Sequence, residues 1–474
     1  MWAYSAGDYP GLLIFAKQEG IAVRDLEQAK AHAKRALSFI ERPHLSPEEY
    51  RQVVEDSVYN FENYVTRAIL DHRKSVSDDY TIVEWSDKGA YFYDTEGNAY
   101  LDCLGGFGIY LLGHRHPRVL SAVRAQLERQ ALHSQEMIDP LRGYLSQLVA
   151  EITPGDLQHA YLVNSGTEAV EMALKLARLA TGKTWIIAMR QGFHGKTFGS
   201  LSATGKGYYR QPYLPLVPGF THVDYGQASQ VEDRIRNLQA TGETVAAVIA
   251  EPIQGEGGVN LPPDDFWPRL REICDRYDVL LIADEIQTGM GRTGKLFGVD
   301  HWGVAPDIMT LAKAFGGGVA PIGCMVATKR LWGRMEENPF LLGSSTFGGN
   351  PLVAAAAIAA IEVTLTEDIP GQAKRKGELL LNGLRPLVER YPEVLKDARG
   401  KGLLIGLEFA NDEIGYSVAK ELFRHRILVS GTLNNARVVR LEPPAIITED
   451  EIATVLEALD EALRTVRDGL VARA

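Results

Sequence analysis

Apolar residues follow several rhythms along this chain of 474 residues. Across 24–41 and 47–73 they recur every three or four positions, which predicts amphipathic helices. "YTIVEWSDKGAYFYDTEGNAYLD" then alternates in strand fashion around "DTEGN", which predicts a hairpin. From about 105 to 345 the rhythm becomes strand–helix alternation. "WIIAM" (185–189), "VAAVIAEP" (245–252), "VLLIADE" (279–285) and "IGCMVATK" (322–329) are apolar throughout, as strands buried on both faces are. "FWPRLREICDRY" (266–277) reads as a crossover helix between two of them. Together these predict an α/β fold with a large doubly wound, mostly parallel sheet. After "GGNP" come helical runs and then mixed segments. The last helix opens on "TEDE", where Thr448 and Glu451 form a capping box. The expected division is 1–104 as a helical arm with part of a small domain, 105–345 as the large α/β domain, and 346–474 as a small α+β domain.

Composition changes this picture little. A net charge of −11 and no basic tract argue against a nucleic-acid surface, and mildly favour a cationic substrate. Cys103, Cys274 and Cys324 are scattered, without metal-site spacing, and suit a reducing compartment. No apolar run reaches membrane-span length. The first twenty residues carry an apolar patch but no basic start, so a signal peptide is not expected and a cytoplasmic location is.

"LLIADEIQTGMGRTG" (280–294) offers two candidate signals, an acid at a strand end and a G-x-G-x-x-G loop. A dinucleotide site needs a helix that starts inside the loop. "KLFGVDHWGVAPD" follows instead, so a plain loop is the better reading, although Asp307 stands near the spacing of a ribose-binding acid. "YLVNSGTEAVEMALKLARLA" gives a better anion site. A short strand passes through Ser165, Gly166 and Thr167 into an amphipathic helix, whose free N–H groups and dipole favour a phosphate. A simple helix cap explains the same residues equally well.

Asp284 ends a central strand, where open α/β sheets bind ligands, though a structural ion pair is the common fate of such an acid. Lys313 follows in "PDIMTLAKAFGGG", an apolar, small-residue setting in which a lysine can lose its charge, as a Schiff-base amine must. An acid, a desolvated amine and a phosphate-binding helix start together suggest pyridoxal phosphate.

At these residues the chain resembles a known family. "NSGTEAVE", "GFHGKT", "EPIQGEGGV", "ADEIQTGMGRTG", "LAKAFGGG" and "STFGGNP" are similar, in order and spacing, to the class III aminotransferases, pyridoxal-phosphate enzymes of fold type I. The resemblance spans about 35–465. It implies that Asp284 pairs with the pyridinium nitrogen, Lys313 joins the cofactor aldehyde, and Gln287 reaches the ring hydroxyl. Phe193 would lie against the ring with His194 beside it. Ser165, Gly166 and Thr167 would hold the phosphate, and Thr346 would reach it from the neighbouring subunit of a homodimer, or of a tetramer built from such dimers. Arg440 would bind the α-carboxylate of 2-oxoglutarate and pair with Glu256 when the substrate has no carboxylate there. "LDCLGGFGIYLLGHRHP", "LHSQEMIDPLR" and "GTLNNARVVRLEPP" are most similar to bacterial members acting on putrescine. Members acting on GABA, ornithine or acetylornithine, the alternative donors, often carry "HGRT". Lys196 in "HGKT" weakens the case for a carboxylated donor. Phe107, Ile109 and Tyr110 are expected to shape the donor pocket.

Overall fold

A computed structural model of the chain describes residues 25–42, 44–76 and 81–472. The apolar patch of the first twenty residues lies outside the described residues. Two compact units are present. One runs up to Ser86 and includes Tyr93–Ala99; the other comprises Asp87–Phe92 and the chain from Tyr100 onward.

The first unit is helical. Leu26–Glu41 is capped by Asp25, which accepts from Gln28 N at 2.8 Å. It buries none of its residues, so its apolar stripe stays uncovered in this chain. The helix expected over 47–73 is interrupted. Pro47–Asn60 starts on a Ser46–Glu49 capping box, passes into a π-helical turn at Phe61–Thr66, and resumes as Arg67–Asp71. The β-branched pair Val65–Thr66 accounts for the break. Thr66 adopts an extended backbone, and its hydroxyl caps the next turn instead.

The second unit is built on a seven-stranded sheet: β1 Leu157–Val163, β2 Trp185–Met189, β3 Phe220–Val223, β4 Val245–Ala250, β5 Leu280–Asp284, β6 Ile308–Leu311 and β7 Gly323–Thr328. Its order is β1-β7-β6-β5-β4-β2-β3. Neighbours from β6 to β3 run parallel, and only β7 is reversed, against both β6 and β1. Every residue of β4, β5, β6 and β7 is buried, which is why those runs show no alternation. The reversed strand passes very close to β1. A Cβ on Gly323 would meet the Ser165 carbonyl oxygen at 2.3 Å, so a side chain there would push the β1 loop away.

The crossover helix spans Phe266–Tyr277, as its pattern predicts, and buries Phe266, Trp267, Leu270, Ile273 and Cys274. Gly166–Thr181 likewise buries Ala169, Val170, Ala173, Leu174 and Ala177, the predicted face, and stops at Gly182 in the left-handed conformation. Toward the C-terminus, β8 Leu395–Lys401, β9 Leu404–Phe409, β10 Ser430–Gly431 and β11 Val438–Leu441 form an antiparallel sheet in the order β8-β9-β11-β10. Glu449–Val471 closes the chain with the predicted Thr448–Glu451 box. Among the described residues, no helix is long and apolar enough to cross a membrane.

Candidate active site

The parallel strands converge on one cavity of about 710 Å³ at their carboxyl ends. Five of them deliver its chemistry within a few residues of where they stop. The loop after β1 brings Ser165, Gly166 and Thr167; β2 leads to Phe193 and His194; β4 leads to Glu251 and then Glu256. Asp284 is the last residue of β5, with Gln287 just beyond, and Lys313 follows β6 by two residues. The sheet register sets part of this geometry. Asp284 lies opposite Thr310 of β6, whose hydroxyl donates to Asp284 Oδ1 at 3.2 Å.

Asp284 is buried and held from three sides. Besides Thr310, Ile286 N donates to Oδ1 at 3.2 Å, and His194 Nδ1 lies 2.6 Å from Oδ2. His194 is also buried, which by itself lowers its pKa. The hydrogen bond and charge of Asp284, with the charge of Glu251, outweigh burial and raise it above the usual value. Lys313 opens a short 3₁₀ turn at φ +50°, a left-handed backbone that a lysine adopts only where its surroundings enforce it. Enclosure lowers its pKa, and this wins over the opposing charges of Glu256 and Glu442. Among the described residues, its amine has no hydrogen-bond partner.

Ser165 caps the helix Gly166–Thr181 by accepting from Glu168 N at 3.3 Å, so the cap reading of this residue is correct as far as it goes. Gly166 and Thr167, one and two residues on, stand on the cavity wall at the positive end of the helix dipole. The Thr167 hydroxyl is within 2.7 Å of Ser200 Oγ and 2.9 Å of Thr197 Oγ1. Phe193 is half-buried on the wall, and its N–H donates to Glu251 Oε1 at 2.9 Å.

Arg440 lies on β11 and is not among the lining residues. It is fully buried, and its Nη1 is 2.6 Å from Oε1 of Glu256, which does line the cavity. Burial would raise the Glu256 carboxyl, but Arg440 and Lys313 hold it below the usual range. Thr346 is exposed and is likewise not a lining residue. Its carbonyl accepts from Gln135 Nε2 at 2.6 Å. Ile109, Tyr110 and Lys196 also line the cavity. The Lys196 amine sits 4.4 Å from the centre of the Tyr209 ring, and the Phe107 ring faces Arg440 at 5.5 Å.

The glycine-rich loop is structural. No helix starts inside "GMGRTG". Arg292, fully buried, donates to the carbonyls of Pro443 at 2.6 Å and Leu403 at 3.2 Å, and so clamps the segment that follows Arg440. Glu285 braces the same loop. It accepts from Thr288 Oγ1 and from the N–H groups of Gly298 and Val299 at 2.8 Å, with its carboxyl pushed up to about 7 by burial. Asp307 accepts from Leu281 N, Arg271 and Arg330, which leaves it a structural acid and not a ribose ligand.

Two buried acids of the site went unmarked in the sequence reading. Glu251 stands directly after β4 as Asp284 ends β5, and burial pushes its carboxyl up to about 7. The rule that singled out Asp284 would have found it. Glu442 is two residues past Arg440, and strand periodicity turns i and i+2 the same way. Its carboxylate lies 3.4 Å from Arg440 Nε and accepts from Gln287 Nε2 at 2.8 Å.

Comparison with known proteins gives the family. Residues 74–463 match the family model for aminotransferase class III. A putrescine aminotransferase of Pectobacterium atrosepticum is 50% identical over 437 residues, covering 91% of this chain and 93% of that protein. The crystal structure of an ornithine aminotransferase from Toxoplasma gondii superimposes with a TM-score of 0.80 at 32% identity, covering 90% of this chain and 99% of that one. An amine transaminase from an uncultivated Pseudomonas species, in its pyridoxal-phosphate-bound form, gives 0.77 at 33% identity over 83% of this chain and 98% of that one. The match across residues 74–463 and the 50% identity over 91% of the chain show that this chain belongs to the class III aminotransferases.

Proposed function

We propose that the protein is a pyridoxal-phosphate-dependent aminotransferase that moves one amino group of putrescine to 2-oxoglutarate. The products are 4-aminobutanal, which cyclises to 1-pyrroline, and glutamate. The observation that carries this reading is the buried Arg440–Glu256 pair beside Lys313. A pocket that must take a cationic amine and then a keto acid needs an arginine that can be neutralised when no carboxylate is present, and Glu256 stands where it can do that.

The residues present fit the cofactor. The cavity is of ordinary ligand size, and it offers an unpaired amine, a buried carboxylate and a helix N-terminus on one wall. When bound, pyridoxal phosphate supplies an aldehyde that takes the amino group and a ring that accepts electrons from the substrate carbon. Asp284, fixed by His194, Thr310 and Ile286 N, would keep the ring nitrogen protonated. Gly166, Thr167 and the Ser165 loop would hold the phosphate, Phe193 would cover one ring face, and Gln287 would approach the ring hydroxyl. The Lys313 amine, once free, would take the proton from the substrate carbon and return it to the former aldehyde carbon. Arg440 would then hold the α-carboxylate of 2-oxoglutarate. The same site works on both substrates in turn, a ping-pong order.

A homodimer completes this site. Thr346 is exposed on a segment tied to the 132–142 stretch by Gln135 and by Arg142, which donates to the Gly348 carbonyl. Met137 and Ile138 on one segment and Phe347 on the other are 78%, 97% and 55% exposed. So much uncovered apolar surface beside Thr346 suits a subunit interface that carries this residue to a second cavity. Light scattering is expected to give the mass of two chains or a multiple; a fully active monomer would remove the shared-site reading. The small domain formed from both chain ends is also our reading. Leu101 and Asp102 pair in parallel with Ile427 and Leu428, as strands drawn from the two ends would.

The reaction is tested by mixing the protein with pyridoxal phosphate, putrescine and 2-oxoglutarate, with cadaverine, GABA and ornithine in parallel. Equal amounts of 1-pyrroline and glutamate are expected, highest with putrescine and absent without the keto acid. Inert putrescine beside reactive GABA or ornithine would overturn the donor assignment.

A further inference from the structure

Glu251 is a buried acid on the cavity wall that takes no part in the proton transfer assigned to Lys313. Its two oxygens serve two different segments. Oε1 accepts from Phe193 N at 2.9 Å, and Oε2 accepts from Gly255 N at 3.1 Å. Phe193 lies in the turn after β2, and Gly255 lies in the loop after β4 that carries Glu256. Each amide stands beside a group that would meet the cofactor ring. Phe193 is the proposed cover of one face. Gly255 packs so closely on Gln287 that a Cβ there would run into Gln287 Oε1. One carboxylate thus fixes the backbone behind both.

The main chain under this carboxylate is itself held. The Tyr225 hydroxyl donates to the carbonyls of Glu251 at 3.1 Å and Pro252 at 2.8 Å. Gln254 Nε2 donates to the Arg190 carbonyl at 2.9 Å and joins the same two segments by a second route, so they stay together without the carboxylate. What Glu251 adds is the placement of the two amides nearest the ring site. Burial pushes its carboxyl up to about 7. The charge of Asp284 adds to this, while His194 and the two amide bonds oppose it. Lys313, Arg440 and Tyr225 are the further titratable or charged groups that feel Glu251. Ionised, the carboxylate accepts from both amides in charge-assisted bonds. Protonated, it turns one oxygen into a hydroxyl, and one buried N–H loses its acceptor.

We propose that Glu251 is a positioning residue, a carboxylate clip that joins the Phe193 turn to the loop at Gly255 and so holds the ring cover and Gln287 in place for the cofactor. It acts through two backbone amides. With the clip closed, the ring site is formed before the cofactor arrives, and binding spends nothing on ordering it. With the clip open, Phe193 and Gln287 must be ordered by the cofactor itself. This inference rests on the placement of Phe193 and Gln287 proposed above, and it is independent of which amine is the donor.

The test uses two variants. Glu251→Gln presents an NH₂ group to one of the two amides. Glu251→Asp keeps the charge beside His194 but is a methylene shorter, so it does not span both. The probe is pyridoxamine phosphate, the amino form of the cofactor, which makes no bond to Lys313; its affinity is read by equilibrium dialysis. At about pH 8 both variants are expected to bind it about tenfold more weakly than the wild type, the scale of one charge-assisted hydrogen bond. Toward about pH 6 the wild type opens its own clip, so its lead over Glu251→Gln should close. Hydrogen exchange in the cofactor-free proteins gives a second readout. Peptides holding Phe193 and Gly255 should exchange faster in both variants, with Val245–Ala250 unchanged. Wild-type affinity in Glu251→Asp would leave only an effect of charge and overturn the clip. A lead that does not change with pH overturns it too, and so does faster exchange throughout β4, the mark of a merely structural role. If the wild type does not bind the probe, the placement of the cofactor groups fails by itself, and the exchange of the two peptides still decides whether Glu251 joins them.

Discussion

Lys313→Ala is expected to stop transamination outright while leaving the chain folded. Two functions sit on this one amine. It is the group that joins the cofactor aldehyde, and it is the base that moves the substrate proton. A positioned general base alone contributes roughly 10²–10⁴-fold, and losing the covalent attachment adds to that. The position is poor in alternatives. The neighbouring carboxylates Asp284, Glu251 and Glu256 are engaged with His194, with backbone N–H groups and with Arg440. Truncation leaves the backbone strain as it was, because Ala tolerates φ +50° no worse than lysine does, so the melting temperature should not fall. Glutamate production from putrescine and 2-oxoglutarate is expected at the level of the protein-free blank. Adding a small primary amine to the buffer should restore part of it, since the shortened side chain leaves room for one. Normal turnover in the variant would take Lys313 out of the chemistry, and loss of both folding and amine rescue would show the residue to be structural.

Much of the site was legible because it lies where strands stop. Apolar runs without alternation marked buried parallel strands, and what followed each run faced the cavity: Ser165, His194, Asp284 and Lys313 all obey this. Long-range partnerships were less legible. Nothing local says that His194 will meet Asp284, 90 positions away, or that Arg292 of the glycine-rich loop will hold the Pro443 carbonyl. Glu442 was hidden differently. It stood in view two residues past Arg440, but with Glu256 already the expected partner nothing local says that a second carboxylate lies against the same guanidinium. The π-helical turn at Phe61–Thr66 escaped because its spacing still fits a helix, while the hydroxyl of Thr66 competes for the backbone locally.

Asp284→Asn should lower kcat roughly 10²–10³-fold without disturbing the site's shape, the scale expected when one preorganised electrostatic group is removed. The substitution is close to isosteric. The amide oxygen can keep the Ile286 N–H and the Thr310 hydroxyl, and the amide nitrogen can face His194 once that ring is neutral and turns its Nδ1 into an acceptor. What disappears is charge. A neutral amide cannot hold the ring nitrogen protonated, so electrons leaving the substrate carbon lose their sink. His194 reports the same loss in the cofactor-free protein. With its folded pKa raised above 6.5, the wild-type pair contributes stability that is complete below 6.5 and is lost as pH rises through the folded value. In Asp284→Asn burial acts on His194 with little to oppose it, and that pH-dependent loss should vanish. Melting temperatures measured on either side of neutrality, without cofactor, separate the two proteins: the wild type declines with rising pH more steeply than the variant. An undiminished kcat would remove Asp284 from the reaction, and parallel melting curves would mean that the 2.6 Å contact carries no charge.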